Sequence, residues 1–421
     1  MGWLGRGLEG LRCTGEPVYE LDGHNGYDGP HVRKVTITCE VADPPSLVPG
    51  TRCSHARFTR SGRTSKPTPI RDRRLELAPT FLLIDRRRLH CKDCDSVLSE
   101  RMPGVELGHE MTRRLYDDIF HAAVNRPYQD AANLHGVSAD LVETIFREHA
   151  RDLIGDFAPE LSEMVAIDET VLAGQMRFVC NCLVTRTLVD ILPDKQPVTV
   201  EHFLRQANRN GRVRVVVQDM NDHYRKAAQK ALGPEVLIVV DRYHVVDALN
   251  RAMNASRVAV TAGKTGPLAT AEKANLRKIA PLLLRNRREM TRAQWVELKE
   301  ILKSKEDLRN AWLLKEALKG LYGLKSAERA AARLARLEAR FPKRWPAAMR
   351  PMGKAARMVT KFRVEILNWY QVQQDNSFTE AMNNRYQLID AGRAGVQFET
   401  VRAKALLRYG GLLDQWYLDR V

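Results

Sequence analysis

Three aspartates in the middle of the chain each accompany a short apolar run. Asp168 lies within MVAIDETVL, Asp219 ends VRVVVQD and Asp241 ends VLIVVD. A buried strand holds a side chain at its end in a fixed direction, so such carboxylates are suited to binding a divalent metal ion. Because strands also end in Asp for turn formation, each aspartate needs partners before it indicates catalysis.

The segments that follow Asp168 predict which aspartates meet. With the strand of Asp168 placed first, the order is three strands, a helix, a strand, a helix and a strand, which is the order of a ribonuclease H-like fold. The first and fourth strands of that fold are neighbours, so we expect Asp168 and Asp219 at adjacent strand ends. Asp241 would lie on the fifth strand, farther from Asp168. The segments are residues 176–183, 187–192, 198–207, 213–219, 221–232 and 236–240.

A possible third acid comes much later in the chain. The segment NSFTEAMNNRYQLIDAGRAG is typical of a helix, and Ser377 and Glu380 fit a capping box at its start. Alternatively this helix, amphipathic through Met382, Tyr386 and Leu388, packs on the sheet and directs Glu380 toward the two aspartates. The sequence alone leaves both roles open.

Composition narrows the function classes. The 421 residues predict two to four domains, and 44% hydrophobic residues exclude a disordered chain. A formal net charge of +16 favours a polyanionic partner, most simply nucleic acid. The N-terminal residues do not resemble a signal peptide, and no apolar run has the length of a membrane span. Seven cysteines in such a chain suggest reduced thiols in the cytoplasm.

A pair of cysteines indicates a possible structural zinc site. Cys91 and Cys94 form a CxxC after a strand-like segment, and Cys53 and His55 are the nearest further ligands. A small β-rich module without metal is the alternative. The residues around these cysteines are strongly basic, as phosphate contacts require, and we predict that they bind DNA. The basic residues are Arg60, Arg63, Lys66, Arg71, Arg73 and Arg74.

The segment PYQDAANLHGVSADLVETIFREHA predicts a helix-turn-helix. Ala132 permits close approach of two helices, Gly136 permits a left-handed turn and Val142 packs the second helix on the first. Ser138 would cap that second helix, which we expect to run to about Arg147 and to read DNA. An ordinary pair of antiparallel helices is the alternative. The positions expected to be exposed are Ser138, Asp140, Glu143 and Arg147.

After Asp241 the chain changes to helical patterns rich in Ala, Leu, Lys and Arg. We interpret these residues as a helical insertion into the α/β core, either a solvated bundle or an arm that grips DNA. The predicted parts are an N-terminal extension (1–35), a zinc-knuckle-like β module (36–104), a helix-turn-helix domain (105–160), the core's first part (161–243), the insertion (244–374) and the core's C-terminal helices (375–421).

The motifs IDE, QDMNDHYRKA, VVDRYHVV and NSFTEAMNNRYQLIDAGRAG follow a CxxC and a helix-turn-helix and precede FETVRAKALL. In this order they resemble the transposases of the bacterial insertion sequence L-three family, from about Glu40 to the C terminus. The family's module normally has two CxxC pairs. The first is broken here, because Gly50 replaces its first Cys or Ala56 replaces its second.

The resemblance implies a DDE transposase with a ribonuclease H-like core and the catalytic triad Asp168, Asp219 and Glu380. We expect Asp168 to bridge two Mg²⁺ or Mn²⁺ ions, with Asp219 and Glu380 each completing one site. Arg225 and Lys226, within the second motif, join the predicted DNA contacts. One structural Zn²⁺ remains possible in the N-terminal module.

The expected function is to bind the terminal inverted repeats of an insertion sequence, cleave its ends and join them to target DNA. The partners would be double-stranded DNA and a second copy of the chain in a homodimer, on the bacterial nucleoid and without a membrane. Two alternatives are a catalytically inactive DNA-binding regulator and a ribonuclease H-like nuclease or resolvase.

Overall fold

The structure is a computed structural model in which the chain forms two compact units, residues 1–157 and residues 158–421. Both units combine helices with β-sheets, as the predicted α/β plus α class requires. The residues that the structure describes are 8, 10–21, 32–42, 53, 57–64, 66–75, 77–106, 108–155, 157–262, 266–373, 377–390 and 397–414.

The first unit begins with two sheets. The larger sheet runs in the order β1-β3-β6-β5-β10-β9, with β2 also paired to β3, and the smaller runs β4-β7-β8. The strands are β1 (Leu11–Cys13), β2 (Val18–Leu21), β3 (Val32–Val41), β4 (Phe58–Arg63), β5 (Thr68–Leu75), β6 (Ala78–Asp85), β7 (Arg87–Cys91), β8 (Val97–Ser99), β9 (Val105–Glu106) and β10 (Met111–Thr112).

Alternating burial explains the larger sheet. In β3, Val35, Ile37 and Cys39 are fully buried while their neighbours are less so, which is the period-two pattern of a strand with one packed face. Leu82 and Ile84 of β6 join the same core, and β3 and β6 pair in parallel. Residues 32–41 and 78–85 thus form the centre of this sheet.

Three helices follow the sheets: α1 (Arg113–Asn125), α2 (Tyr128–His135) and α3 (Ala139–Ile154). Gly136, with φ +65°, ends α2 in the left-handed conformation, and the Ser138 side chain accepts a hydrogen bond from Leu141 N at the start of α3. Ala132 and Val142 are buried. The predicted helix-turn-helix geometry is confirmed, although α3 extends about two turns beyond the predicted end at Arg147.

The second unit is built on a sheet of order β13-β12-β11-β14-β15. β11 is antiparallel to β12 and parallel to β14, and β14 is parallel to β15. The predicted order of elements is confirmed, with the first and fourth strands adjacent. The elements are β11 (Met164–Leu172), β12 (Gln175–Cys182), β13 (Thr187–Ile191), α4 (Pro197–Ala207), β14 (Val215–Gln218), α5 (Asp222–Leu232) and β15 (Leu237–Val240).

Both faces of this sheet are covered. Val165 and Ile167 of β11 point to the face packed by α4 and α5, where Phe178 and Tyr224 also lie. Ala166 points to the opposite face, which is why the strand reads as a continuous apolar run. The two faces determine which side chains reach the candidate site, because successive residues of a strand alternate between them.

Residues after β15 are helical almost throughout the described part. The helices are α6 (Arg242–Ala259), α7 (Pro267–Lys278), α8 (Ala280–Leu284), α9 (Arg292–Lys303), α10 (Glu306–Lys319), α11 (Ala327–Glu338), α12 (Arg350–Lys361) and α13 (Arg363–Val372), with 3-10 turns at Arg287–Glu289, Gly320–Gly323 and Ala347–Met349. Their apolar faces form one extended core. The helix α13 packs on the Ala166 face of the sheet, where Asn368 donates to the Ile238 carbonyl over 2.9 Å.

A buried lysine supports this helical region. The Lys315 ammonium donates to the carbonyl oxygens of Leu283 (2.6 Å) and Arg285 (3.0 Å), at the end of α8. Carbonyl groups at the C-terminal end of a helix have no partner within the helix, and here the Lys315 ammonium supplies the hydrogen bonds. Burial lowers the pKa of Lys315 to about 8, against the opposing effect of Glu316.

Two last helices, α14 (Ser377–Asp390) and α15 (Phe398–Tyr409), return to the sheet. From α14, the Tyr386 hydroxyl donates to Asn181 of β12 over 2.6 Å. From α15, Arg402 forms a bidentate ion pair with Asp190 of β13. These contacts fix α14 across the Ala166 face. Within the described residues, no helix has both the length and the apolarity needed to cross a bilayer.

Candidate functional site

Asp168 lies on the Ala166 face of β11, beside the neighbouring strand β14. It lies in the middle of its strand and not at the predicted strand end, because residues 169–172 continue the pairing with β12. The register pairs Ala166 with Val217, so Asp168 lies level with the residue that follows β14, Asp219. Asp168 is only 8% exposed. Its two carboxylate oxygens accept hydrogen bonds from the Glu169 backbone N–H (2.7 Å) and the Asn383 side chain (2.8 Å).

A histidine joins the two aspartates. The His244 Nε2 lies 2.6 Å from Asp219 Oδ1, and one ligand atom from each of Asp168, Asp219 and His244 lies within 4.8 Å of the others. We call these three residues the carboxylate site. The Asp219 side chain is 37% exposed, so the site opens to solvent on its side.

The electrostatics of the carboxylate site reflect crowding of like charges. Burial, followed by the negative charge of Asp219, raises the pKa of Asp168 to about 6. Burial opposes the charged form of His244, but its hydrogen bond to Asp219 and the charges of all three nearby aspartates raise its pKa to about 9. A positive charge is therefore favoured between the carboxylates, which is the condition that a divalent cation would satisfy.

Glu169, next to Asp168, belongs to the other face of the sheet. Its carboxylate accepts from the Tyr224 hydroxyl (2.8 Å) and pairs with the Lys195 ammonium (2.7 Å). Tyr224 lies in α5, and burial followed by the hydrogen bond to Glu169 raises the pKa of its hydroxyl. Alternation along the strand thus separates the two adjacent acids.

Asp241 lies at the start of α6 and caps this helix. It is 1% exposed, and its side chain caps α6 by accepting from the Tyr243 N–H over 3.1 Å. Its carboxylate lies 3.7 Å from His244, farther than Asp219. The geometry favours Asp219 over Asp241 as the partner of Asp168.

Glu380 lies in the first turn of α14 but is not part of the carboxylate site. Its side chain is exposed and interacts with Tyr243, where the Glu380 charge, with burial and other nearby groups, raises the pKa of the tyrosine hydroxyl. Asn383, one turn later, is the residue of α14 that contacts Asp168. The helix therefore approaches the site as the sequence suggested, with Glu380 at its edge.

His244 and Asn383 were missed as site residues in the sequence. His244 reads as part of the helix after Asp241, and Asn383 as one amide in a polar helix. The only sequence signal was their presence in the VVDRYHVV and NSFTEAMNNRYQ motifs. Their roles depend on which residues the fold brings beside Asp168.

A second group of possible ligands lies in the first unit. The thiols of Cys53, Cys91 and Cys94 have sulfur atoms within 4.8 Å of one another, and Cys94 and Cys53 are 3.5 Å apart. We call them the thiol site. Cys91 ends β7 and the Asp95 N–H donates to its carbonyl, so a tight turn brings Cys94 back toward it. His55 lies outside the described residues.

Two other residues of this unit with side chains that can bind zinc, Cys39 and His90, have different partners. Cys39 lies opposite Cys13 in the larger sheet, with sulfur atoms 3.4 Å apart. His90 contacts Asp95 over 2.6 Å. Among the described residues, the group of close ligand atoms at the thiol site therefore consists of the three thiols.

Five of the six cations predicted around the cysteines lie on strands. Arg60 and Arg63 are in β4, and Lys66 lies between β4 and β5; all three are exposed. The remaining three lie on β5 and contact the helix-turn-helix: Arg71 donates to the Gly136 carbonyl, Arg73 pairs with Asp118 and Arg74 donates to the Asn133 carbonyl. These three guanidinium groups hold the helices on the sheet.

The other predicted DNA contacts differ in exposure. Ser138 and Arg147 are exposed on α3, and Arg147 pairs with Glu143 over 2.6 Å. Lys226 is 72% exposed on its side chain, whereas the Arg225 guanidinium is 18% exposed and lies over the Phe362 ring. Arg225 thus connects α5 with the helical region, and Lys226 faces solvent.

Comparisons with known proteins agree with this arrangement. A family model described as a transposase, of the DDE type in the ISL3 family, matches residues 165–405, more than half of the chain. A model for the helix-turn-helix domain of transposase family ISL3 matches residues 100–150. The transposase for insertion sequence element IS1001 of Bordetella parapertussis is 26% identical over 325 residues, which are 76% of this chain and 75% of that protein.

Proposed function

The chain belongs to the ISL3 family of DDE transposases, and we propose that Asp168, Asp219 and Glu380 form its catalytic triad. It is a DNA transposase with a helix-turn-helix for DNA binding. The observation that carries the assignment is the meeting of Asp168, within β11, and Asp219, directly after the parallel strand β14, in a group that also contains His244.

We further infer that the core is ribonuclease H-like. The strand order β13-β12-β11-β14-β15, with the first three strands antiparallel and the last two parallel to the first, supports this fold. The helices from residue 244 to residue 374 interrupt the core, and α14 and α15 complete it on the sheet. In this division the packing of α13 on the sheet marks the return of the chain to the core.

The donor atoms fit magnesium or manganese. Asp168 and Asp219 offer hard carboxylate oxygens, and burial followed by the charge of Asp219 raises the pKa of Asp168, an effect that a bound cation would oppose. Two bound divalent ions would stabilise charge on the attacking and leaving oxygens of a phosphodiester. We propose that Asp168 contributes to both ions while Asp219 and Glu380 each contribute to one.

The surrounding residues position these ligands. Asn383 donates to Asp168 Oδ2 and orients that carboxylate, and His244 holds Asp219 through its Nε2. Glu380 contacts Tyr243 at the edge of the site. Its position in the first turn of α14, one turn before Asn383, supports a short side-chain movement toward the aspartates when ions and DNA bind.

The first unit supplies DNA recognition in this proposal. The exposed side chains of Ser138 and Arg147 on α3 would contact the element ends, and Arg60 and Lys66 would contact phosphates. The thiol site would hold one structural zinc ion, since three thiols already converge there. We also propose that two chains act together as a homodimer when they bring the two element ends into one complex.

An excision and strand-transfer assay with purified protein tests the triad. We expect Asp168→Ala, Asp219→Ala and Glu380→Ala each to abolish cleavage and joining while binding of element-end DNA is retained. The loss follows from removal of several kcal/mol of transition-state stabilisation, or about 10³-fold in rate. Joined products also distinguish a transposase from a nuclease or resolvase, which would only cleave.

Asp241→Ala is the matched control, because Asp241 is a buried acid beside the same histidine. We expect it to lower stability through loss of the α6 cap, by roughly 1 kcal/mol, without abolishing chemistry in the folded protein. Loss of chemistry in folded Asp241→Ala, with full activity in Asp219→Ala, would reverse the assignment of the second acid.

A further inference from the structure

A cavity of about 650 Å³ extends from the carboxylate site into the helical region. Asp219 and His244 form part of its wall, and the rest comes from the start of α5 and from α6 and α12. We call it the side cavity. Its volume lies within the roughly 300–1,000 Å³ of small-molecule sites in proteins. It is large enough for more than a metal ion with its waters.

Small residues keep the side cavity open. Ala248, Ala252 and Ala255 lie at helical spacing on one face of α6, and Ala355 faces them from α12. Larger side chains at these positions would fill the space between the two helices. Ala255 is exposed, so it contributes to the cavity wall without contributing to the core.

The wall combines apolar surface with charge. Met220 and Met358 supply adaptable thioether side chains, and unbranched methionines accommodate flat ligands of differing shape. The buried ring of Phe362 closes the floor and is covered by the Arg225 guanidinium at 4.8 Å. The apolar contacts available to a ligand are therefore mainly those of the methionines and alanines.

Three cations and two further acids complete the wall. Lys361 pairs with Asp222 over 3.2 Å, and Arg251 pairs with Asp247. The exposed Lys354, in contrast, has no acidic partner among the residues that the structure describes. Away from Asp219 and His244, the cavity thus carries one surplus positive charge, on Lys354, as expected for a contact with one phosphate.

We propose that the side cavity receives one nucleotide of the substrate DNA, unstacked from the duplex beside the phosphate at the carboxylate site. The base lies against Met220 and Met358, and the phosphate of that nucleotide contacts Lys354. This inference rests on the proposed function. Asp219 lines the cavity, so the nucleotide next to the reacting phosphate is the part of the substrate closest to it. Unstacking costs a few kcal/mol, which contacts in the cavity offset.

Fluorescence of 2-aminopurine tests this proposal, since this base brightens when it leaves the stack. The probe is a duplex carrying the inverted repeat that flanks the gene, with 2-aminopurine at successive positions around the cleavage site and no divalent metal. We expect a severalfold rise at one position with the full-length protein. Absence of a rise at every position would overturn the proposal.

Variants connect the signal to the cavity. Ala255→Leu should remove most of the rise and slow cleavage about tenfold, with DNA binding unchanged, because a filled cavity excludes the base. Lys354→Ala should reduce the rise, whereas Arg357→Ala, an exposed cation of α12 outside the cavity wall, should not. An unchanged rise in Ala255→Leu, or equal effects of the two cation variants, would contradict the proposal.

Two further measurements separate this inference from the proposed function. With an abasic nucleotide at the responsive position, wild type and Ala255→Leu should cleave at equal rates; a persistent tenfold difference would overturn base insertion. Asp168→Ala should keep the fluorescence rise while losing cleavage. If Asp168→Ala cleaves normally, the catalytic assignment fails, and the fluorescence of the Ala255 and Lys354 variants still decides the role of the cavity.

Discussion

The carboxylate site and the thiol site are both groups of metal-ligating side chains, and they are built in opposite ways. Asp168 and Asp219 offer hard oxygen ligands beside a cavity, with one side chain 37% exposed. At the thiol site, soft sulfur ligands converge on a tight turn, and Cys53 and Cys91 are buried. The first arrangement leaves room for a substrate, whereas the second buries two of its three thiols and leaves that of Cys94 exposed.

This difference indicates different uses of a metal. A catalytic site keeps open positions for substrate and water, and a structural site fills its coordination sphere with protein atoms. Burial, followed by the negative charge of Asp219, raises the pKa of Asp168, so the ionised carboxylate site favours a cation. In our proposal, zinc at the thiol site would instead stabilise the turn between β7 and β8. The following predictions test this contrast, from the largest expected effect to the smallest.

Brief treatment with a chelator should remove activity without removing zinc. Carboxylate-bound magnesium exchanges readily, so cleavage should fall more than about 10³-fold and return on addition of Mg²⁺. Zinc held by thiolates should remain, and elemental analysis before and after treatment measures it. Loss of zinc together with activity, and recovery only when both metals are added, would remove the contrast between the sites.

Cys91→Ser should abolish zinc binding and destabilise the first unit. Removing one thiolate from a closed site loses the folding energy supplied by the metal, so we expect a cost of several kcal/mol. Zinc content and the thermal unfolding of the full chain measure the effect. Cys13→Ser, which changes an exposed thiol outside the thiol site, is the control. Equal zinc content in wild type and Cys91→Ser would exclude the thiol site as a zinc site.

Asn383→Ala should weaken the carboxylate site without unfolding it. The variant loses the hydrogen bond that orients Asp168, so activity at limiting Mg²⁺ should fall about 10–100-fold. Excess Mg²⁺ should restore part of the loss. Gln387→Ala, which loses a similar contact to Thr170 one turn later on α14, should leave the Mg²⁺ dependence unchanged. If both variants behave alike, Asn383 has only a packing role.

Asp168→Asn should make the metal-free protein more stable near pH 7, by roughly 1–3 kcal/mol. In the folded state the pKa of Asp168 is raised to about 6, so protonation of this carboxyl contributes fully to the free energy of unfolding below the ordinary pKa of 3.8. This contribution is lost as the pH rises through 6. An asparagine at this position does not ionise, so the variant does not lose this contribution as the pH rises. Denaturant unfolding at pH 4 to 8 measures the free energy of unfolding of both proteins. Identical pH profiles for the two proteins would contradict the prediction.

Local patterns in the sequence predicted most of the elements. The strands near residues 165 and 213 and the helices after them follow from apolar periodicity, and Gly136 and Ser138 mark the turn and cap of the helix-turn-helix. Each of these depends on interactions within a few residues. The end of α3 was predicted too early because a helix end without a strong stop signal depends on packing.

Contacts between distant segments were harder to predict. The cations of β5 read as phosphate ligands in the sequence, but Arg71 and Arg74 donate to carbonyls of the helix-turn-helix about sixty positions away. A guanidinium group has the same donors for a phosphate and for a carbonyl, so composition cannot distinguish the two partners.

The sequence by itself determined the order of strands and helices and the acids that accompany the strands, since apolar periodicity is a local property. Only the tertiary structure decided that Asp168 faces Asn383, 215 positions away, and that His244 rather than Glu380 lies beside Asp219 in the metal-free chain. The side cavity between α6 and α12 likewise exists only after folding. Such contacts depend on how elements pack, which no single segment encodes.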